Sequence, residues 1–273
     1  VVNNSLPANK EFAYGAKTYM QYWDRTVKCD TAIYKDLFKD FGNLEIENNS
    51  FVTLSGPNNC GKTTLFRILD RQIEIKNTIT VNNIKIEDYK ETELSSLIKT
   101  IIPKEIIFIN TTVEEELNFY IQQSKLSTEE KKFLYKQIIK DLKLNKILLK
   151  ETKNLDDNEI IRLQLATALL MSPKILLIDN IGLYIEKKEM TNIINFLKEY
   201  QQQRQITIIF VTSSLEEVLL TDYIYVISDS QIQIEGVPIE VIQKDNIMNK
   251  AGLNLPFMID LSVKLRDYDL IKD

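Results

Sequence analysis

The chain has 273 residues, a formal net charge of −5 and a hydrophobic fraction of 44%, which is typical of a soluble α/β domain or of two closely joined subdomains. The mild acidity argues against a nucleic-acid-binding surface, which usually carries clustered Lys and Arg. No apolar run approaches the roughly 18 residues that a bilayer-spanning helix needs, so we expect any role at a membrane to depend on a partner. The chain contains no histidine, which excludes imidazole as a metal ligand or a general base.

Cys29 and Cys60 are the two cysteines of the chain. They are too few for a disulfide framework, and the sequence starts without the pattern of a secretory signal peptide. We therefore expect the protein to work in a reducing cell interior.

The first predicted elements are a strand and a helix that enclose a glycine-containing loop. Residues 51–54 are apolar and predict a buried strand, and residues 65–69 predict a helix. Between them, residues 56–63 fit the phosphate-binding pattern G-x-x-x-x-G-K-[ST]. A chance match in a Gly-Asn turn is the alternative, but the strand before the loop and the helix after it favour a nucleotide site.

The spacing of this loop has a physical reason. Glycines at both ends let the backbone curl until successive N–H groups point at a phosphate, and the helix N-terminus adds partial positive charge. Lys62 would reach the β- and γ-phosphates, and the Thr63 hydroxyl would complete a Mg²⁺ shell. The candidate nucleotide-binding residues are Gly56, Pro57, Asn58, Asn59, Cys60, Gly61, Lys62, Thr63 and Thr64. The loop does not name the reaction, because kinases, GTPases, motors and transporters share it.

The elements predicted beyond the loop contain few breakers. They are two helices over 128–149 and 158–171, two buried parallel strands over 174–179 and 206–212, and a short tail over 251–273. Asp179 ends a strand at the edge where open α/β sheets bind their ligands. It is a candidate Mg²⁺ ligand together with Thr63, although a strand-end aspartate can also cap a helix or pair with a cation. No repeat or Pro/Gly-rich linker divides the chain, so we expect one compact unit with two lobes.

From about residue 44 onward, the chain resembles the nucleotide-binding subunit of ATP-binding cassette (ABC) transporters. The motifs that carry the resemblance are the Walker A loop at 56–63, the TVEEE run at 112–116, Arg162 with the Leu-Ala and Ala-Leu pairs after it, the Walker B strand at 175–179 and the switch at 211–218. The segments 222–226, 235–238 and 252–257 are similar to the ATPase subunits of energy-coupling factor (ECF) importers, which take up vitamins and transition-metal ions.

The resemblance implies an α/β fold, with a P-loop NTPase (RecA-like) core and a helical subdomain of the ABC ATPase type. The expected divisions are a first part of the core with Walker A over 1–100, the Q-loop region and helical signature subdomain over 101–171, a second part of the core with Walker B and the switch over 172–235, and a C-terminal extension over 236–273. The implied ligands are ATP and Mg²⁺. The implied partners are a paralogous ABC ATPase, a transmembrane coupling subunit and a substrate-binding membrane subunit, at the cytoplasmic face of the cell membrane.

The chain departs from the family pattern at the signature motif. Where the family has Leu-Ser-Gly-Gly-Gln, residues 155–159 read Leu-Asp-Asp-Asn-Glu, and none of the 7 glycines adjoins another. In the family this motif presents a hydroxyl and a helix N-terminus to the γ-phosphate that the partner subunit holds. Here Asp156 and Glu159 fit a capping box, so the helix is predicted to satisfy its own N–H groups. We therefore expect the chain to be a poor signature donor.

The residues that serve hydrolysis are altered as well. The resemblance places Asn180 where the family has its catalytic glutamate, and Ser213 where it has the switch histidine. The Q-loop glutamine is absent from residues 88–112, and Lys104 lies near its place. An amide cannot take a proton from water, and loss of a general base costs about 10²- to 10⁴-fold in rate. Two neighbouring acids, Glu186 and Glu216, are alternative surrogate bases.

The sequence thus predicts an ATP-binding but catalytically weakened subunit of a vitamin or metal-ion importer, in a heterodimer with a less altered paralogue. The alternatives are a competent ATPase that uses surrogate residues and a docking scaffold that no longer binds ATP. The aromatic residue that stacks on adenine stays open, with Tyr19, Tyr22 and Tyr34 as candidates.

Overall fold

The computed structural model describes residues 44–73, 79–103, 105, 108–228, 231–244 and 261. The strands in this part of the chain are β1 (Phe51–Ser55), β2 (Thr80–Val81), β3 (Ile84–Lys85), β4 (Ile98–Ile101), β5 (Ile175–Asp179), β6 (Thr207–Val211), β7 (Tyr223–Ser228) and β8 (Gln231–Gly236). The helices are α1 (Lys62–Leu69), α2 (Glu91–Leu97), α3 (Val113–Gln123), α4 (Thr128–Asp141), α5 (Asp157–Leu170), α6 (Lys187–Arg204), α7 (Leu215–Val218) and α8 (Pro238–Ile242).

Six strands form one sheet in the order β4-β5-β6-β1-β7-β8. All neighbours pair in parallel except β8, which runs antiparallel to β7. The strands β2 and β3 form a separate hairpin. The α/β class expected from the sequence is confirmed, and the strands predicted over 174–179 and 206–212 are β5 and β6.

The central strands are buried on both faces, which is why they read as unbroken apolar runs. In β1, Phe51 packs with the core that includes the helices α3 to α6, whereas Val52 and Leu54 belong to the core on the opposite face with α1. In β6, Phe210 and Ile209 divide between the two cores in the same way. Because the strands are parallel, their carboxyl ends meet at one edge of the sheet, where β1, β5 and β6 lie side by side.

Helices α3, α4 and α5 pack together into a lobe, and α5 also packs against β4. The helix predicted over 128–149 is wrong beyond Asp141, where α4 ends. The backbone of Lys143 is left-handed, with φ 54°, and a 3-10 turn follows over Leu144–Lys146. Leu142 and Leu144, on either side of this residue, are both buried in the core of the lobe, and their burial favours the break.

Several predictions concern residues outside the described part of the chain: Cys29, Lys104, the tyrosines Tyr19, Tyr22 and Tyr34, and the tail over 251–273 apart from residue 261. Among the described residues, no helix has the length and apolar character needed to cross a membrane.

Candidate nucleotide-binding site

The predicted phosphate-binding loop lies between the end of β1 and the start of α1. Gly56 and Gly61 have φ angles of 147° and 99°, which L side chains rarely adopt. A Cβ atom on Gly56 would lie 1.9 Å from the carbonyl oxygen of Ile227 in β7. The first glycine is therefore required by the close approach of a neighbouring strand as well as by its own backbone conformation.

Lys62 points its ammonium group back into this loop. Its Nζ donates to the carbonyl oxygens of Gly56 at 2.9 Å and Pro57 at 2.7 Å, and lies 3.2 Å from Cys60 Sγ. Helix α1 has no acidic residue in its first turn, and its N-cap residue Gly61 provides no side-chain hydrogen bond. The helix N-terminus and the lysine therefore present positive charge to the same space, which suits a phosphate.

Thr63 and Asp179 are brought into contact although they are far apart in the sequence. The Thr63 hydroxyl donates to Asp179 Oδ2 at 2.5 Å, and Asp179 is only 7% exposed. Burial raises the pKa of Asp179, while the Thr63 hydrogen bond and the Lys62 charge oppose that rise. A hydroxyl and a carboxylate oxygen are hard ligands of the kind that Mg²⁺ prefers, so the two side chains fit the metal that the motif implies.

Glu105 is a neighbour of this pair that the sequence did not single out. It forms an ion pair with Arg67, which lies one helical turn beyond Thr63 on α1. The Glu105 carboxylate raises the pKa of Asp179, and the Arg67 guanidinium lowers it. The electrostatics of the predicted metal site therefore depend on a residue between β4 and α3.

Asn180 and Ser213 lie at the same edge of the sheet, directly beyond the ends of β5 and β6. The backbone of Asn180 is left-handed, with φ 43°, a conformation that asparagine adopts more readily than most residues. Its N–H donates to the Val211 carbonyl oxygen at 2.9 Å. Ser213 is exposed and follows the buried Thr212.

A second carboxylate, Glu217, lies among these segments. Its Oε2 accepts a hydrogen bond of 2.7 Å from the Thr212 hydroxyl, and burial raises its pKa. The surrogate bases suggested by the sequence lie elsewhere: Glu216 pairs with Lys187 at 3.3 Å on the surface, and Glu186 is the exposed N-cap residue of α6. Nothing in the sequence favoured Glu217 over its neighbour Glu216, because only the fold brings its half-buried side chain beside Gly182.

The N-terminus of α5 has the capping box that the sequence predicts. Glu159 N–H donates to Asp156 Oδ1 at 2.8 Å, and Asp156 N–H donates to Glu159 Oε2 at 2.9 Å. Lys150 pairs with the same Glu159 carboxylate at 2.5 Å. Two N–H groups at this helix end, those of Asp156 and Glu159, are thus met by the helix's own carboxylates, whereas no side chain caps α1.

An open cavity of about 890 Å³ adjoins this helix end. Its lining residues are Lys143, Lys146, Ile147, Asp156, Asp157, Asn158, Glu159, Arg162, Tyr184 and Glu186. On its wall, Lys143 and Arg162 both pair with Glu189 of α6, and these two cations lower the pKa of Glu189 to about 2. The helix end is therefore joined by ion pairs to the helix that follows Asn180.

Comparisons with known proteins agree with this geometry. The family model described as ABC transporter matches residues 41–181, just over half of the chain. The energy-coupling factor transporter ATP-binding protein EcfA of Pediococcus pentosaceus is 26% identical over 216 residues, covering 78% of this chain and 77% of that protein. The Fe(3+) ions import ATP-binding protein FbpC of Fusobacterium nucleatum is 30% identical over 204 residues, covering 74% of this chain and 54% of that protein.

Among solved structures, CbiO1 from Clostridium perfringens, part of the ABC transporter complex CbiONQ, superposes with a TM-score of 0.64 and 24% identity, covering 81% of this chain and 90% of that one. At this identity the superposition establishes the fold. The fold, the phosphate-binding loop and the family match together lead to one conclusion. The chain belongs to the ABC transporter family and has the α/β P-loop fold of its ATPase cassettes.

Proposed function

We propose that the chain is an ATP-binding subunit of an ECF-type ABC importer, that it holds MgATP with little turnover, and that it works in a heterodimer with a less altered paralogue. A contrast between two helix ends carries the proposal. The N-terminus of α1 has no side-chain cap, whereas that of α5 is capped by its own Asp156 and Glu159. The N-terminus of α1 is available to a nucleotide phosphate, whereas the carboxylates of Asp156 and Glu159 already occupy the N-terminus of α5.

The loop before α1 supports nucleotide binding. Phosphate oxygens would replace the two loop carbonyl oxygens that now accept from Lys62. Thr63 and Asp179 would hold Mg²⁺, which would neutralise part of the phosphate charge. A pure docking scaffold has no use for this set of groups, which argues against the scaffold alternative.

The residues around the γ-phosphate position argue for weak hydrolysis. Asn180 carries an amide, which can orient a water molecule but cannot accept its proton. Ser213 is too short to reproduce the reach of an imidazole. Loss of a general base costs about 10²- to 10⁴-fold in rate, so the site is suited to holding ATP.

The acidic helix end argues for an unequal partner. In a head-to-tail dimer of cassettes, the Asp156 carboxylate would face the nucleotide that the other subunit holds, beside a Glu159 carboxylate that Lys150 partly neutralises. Two unit charges of the same sign repel by about 4 kcal/mol at 4 Å and an effective dielectric constant near 20. A homodimer would combine this repulsion with the altered hydrolytic residues, whereas a paralogue with an intact signature would close the Walker site of this chain.

The names of the relatives support the rest of the proposal. EcfA is an energy-coupling factor transporter ATP-binding protein, and FbpC serves import of Fe(3+) ions. The second name favours a metal-ion importer, and the resemblance to ECF importers adds vitamins as the other substrate class. We infer that the chain binds a transmembrane coupling subunit and lies peripherally at the cytoplasmic face of the membrane. Substrate choice would then belong to a separate membrane subunit.

The first test is calorimetric titration of MgATP into the purified chain. We expect binding that Lys62→Ala weakens at least tenfold, because the proposed site has the ammonium group contact the phosphates directly. Lys174→Ala, which removes an exposed lysine outside the loop, is the matched control and should leave the affinity unchanged.

Three outcomes would contradict parts of the proposal. No ATP binding by a folded chain would support the scaffold. Steady-state phosphate release that Lys62→Ala abolishes would support a competent ATPase, with Glu217 as the first surrogate base to examine. ATP-dependent dimers of the purified chain alone would refute the need for a paralogue.

A further inference from the structure

Glu217 connects two segments that lie beside the candidate nucleotide site. One segment is the turn after β5, which contains Asn180 and Gly182. The other follows β6 and contains Thr212 and Ser213. Helix α7 starts immediately after this second segment and carries Glu217, so a single side chain reaches both.

The space that Glu217 occupies exists because residue 182 is glycine. A Cβ atom on Gly182 would lie 2.6 Å from Glu217 Oε1 and 3.3 Å from Oε2. Non-bonded atoms do not approach this closely, so any side chain at position 182 would displace the carboxylate. The carboxylate is the end of a flexible side chain, and it would therefore move without unfolding the protein.

Thr212 forms a hydrogen bond with the same Glu217 carboxylate. Its hydroxyl donates to Glu217 Oε2 at 2.7 Å and accepts from the Ser214 N–H at 3.0 Å. Its carbonyl oxygen accepts from the Ser55 hydroxyl at 2.7 Å, and Ser55 is the last residue before the phosphate-binding loop. Hydrogen bonds therefore link the residue before the loop, the segment after β6 and Glu217, and Glu217 in turn lies against Gly182 in the turn after β5.

We propose that Glu217 and Gly182 form a clasp that sets the distance between Asn180 and Ser213 and so positions the γ-phosphate end of the nucleotide site. Glu217 acts here as a positioning residue through Thr212 and the turn. The inference rests on the proposed function, because it assumes that ATP binds at the Walker loop. It predicts that a contact distant from the phosphate-binding loop in sequence makes the site bind ATP more tightly than ADP.

The test is a double-mutant cycle that measures calorimetric affinities for MgATP and MgADP. We expect Glu217→Ala and Gly182→Ala each to weaken ATP binding at least fivefold while ADP binding changes less than twofold. The double variant should be no weaker than Glu217→Ala alone, because the added methyl group acts only by displacing the carboxylate. Glu199→Ala, which removes an exposed carboxylate on α6, is the control and should leave both affinities unchanged.

A conservative variant separates positioning from a loss of stability. In Glu217→Gln the amide oxygen can still accept from Thr212, so we expect it to keep the ATP to ADP affinity ratio within twofold of the wild type. Independent effects that add in the double variant, equal losses of ATP and ADP affinity, or a Gln variant that behaves like Ala would each overturn the clasp. Absence of ATP binding by the wild-type chain would instead refute the proposed function, and the clasp with it.

Discussion

At the scale of single residues, the site depends on where a side chain is forbidden as much as on where one is present. Gly56 and Gly182 illustrate two different reasons for glycine. A side chain at Gly56 would meet the backbone of β7, which cannot move aside, whereas a side chain at Gly182 would meet a flexible glutamate. The sequence marks Gly56 as part of a motif, but only the fold reveals what it approaches.

This difference predicts unequal costs for the same substitution. Gly56→Ala should lower the free energy of unfolding by about 3 kcal/mol or more, because its φ of 147° is strained for alanine and its Cβ would lie 1.9 Å from a backbone oxygen. Gly182→Ala should cost within about 1 kcal/mol, because only a side chain has to move. Urea-induced unfolding of the two variants measures both values. Equal costs would show that strand β7 yields to the added methyl group.

At the scale of elements, the two helices α1 and α5 use their N-termini in opposite ways. Helix α1 starts at a glycine without a side-chain cap, and α5 starts at an aspartate that accepts a hydrogen bond from the N–H three residues later. Both starts follow from local sequence, since glycine at 61 and the Asp-x-x-Glu spacing at 156–159 are visible without a structure. The end of α4 is not visible in the sequence, because no helix-breaking residue lies at Lys143. The burial of Leu142 and Leu144 that favours this end appears only in the structure.

The capping box gives a second prediction. Asp156→Ala should destabilise the protein by about 1 kcal/mol, since it removes the oxygen that accepts from the Glu159 N–H. Asp157→Ala removes a first-turn acid outside the box, and its cost should stay within about 0.5 kcal/mol, from the helix dipole alone. Thermal or urea unfolding of the pair is the measurement. A loss at Asp157 as large as that at Asp156 would mean that charge, not capping, stabilises this helix end.

At the scale of the whole molecule, a cluster of ion pairs joins the helical lobe to α6 at the edge of their shared hydrophobic core. Lys143 follows α4, Arg162 belongs to α5, and both pair with Glu189 in the first turn of α6. The helix α6 starts shortly after the turn that contains Asn180, so this cluster connects the N-terminal part of α5 with the segment after β5. No local pattern in the sequence predicts it, because its members come from three separate helices or their ends.

The cluster predicts a pH dependence of stability. Lys143 and Arg162 lower the pKa of Glu189 from 4.5 to about 2. A carboxylate with a lowered folded-state pKa stabilises the fold above its unfolded pKa, and this contribution is lost as pH falls from about 4.5 toward 2. Glu189→Gln should therefore lower stability at neutral pH and flatten its decline below pH 4.5. Urea unfolding at several pH values checks this, with the exposed Glu199→Gln as control. Parallel profiles for wild type and Glu189→Gln would contradict the assignment.

The sequence by itself determined the α/β class, the phosphate-binding loop, the central strands and the capping box, because each is written in residues within a few positions of one another. Hydrophobic runs, glycine spacing and capping residues act on the backbone close to them. The strands, the loop and the capping box that they predict are therefore also present in the folded protein. Only the tertiary structure decided that Thr63 contacts Asp179, that Glu105 lies near this pair, and that Glu217 enters the space above Gly182. Those contacts join residues far apart in the chain, and their existence depends on how the parallel strands bring their carboxyl ends to one edge of the sheet.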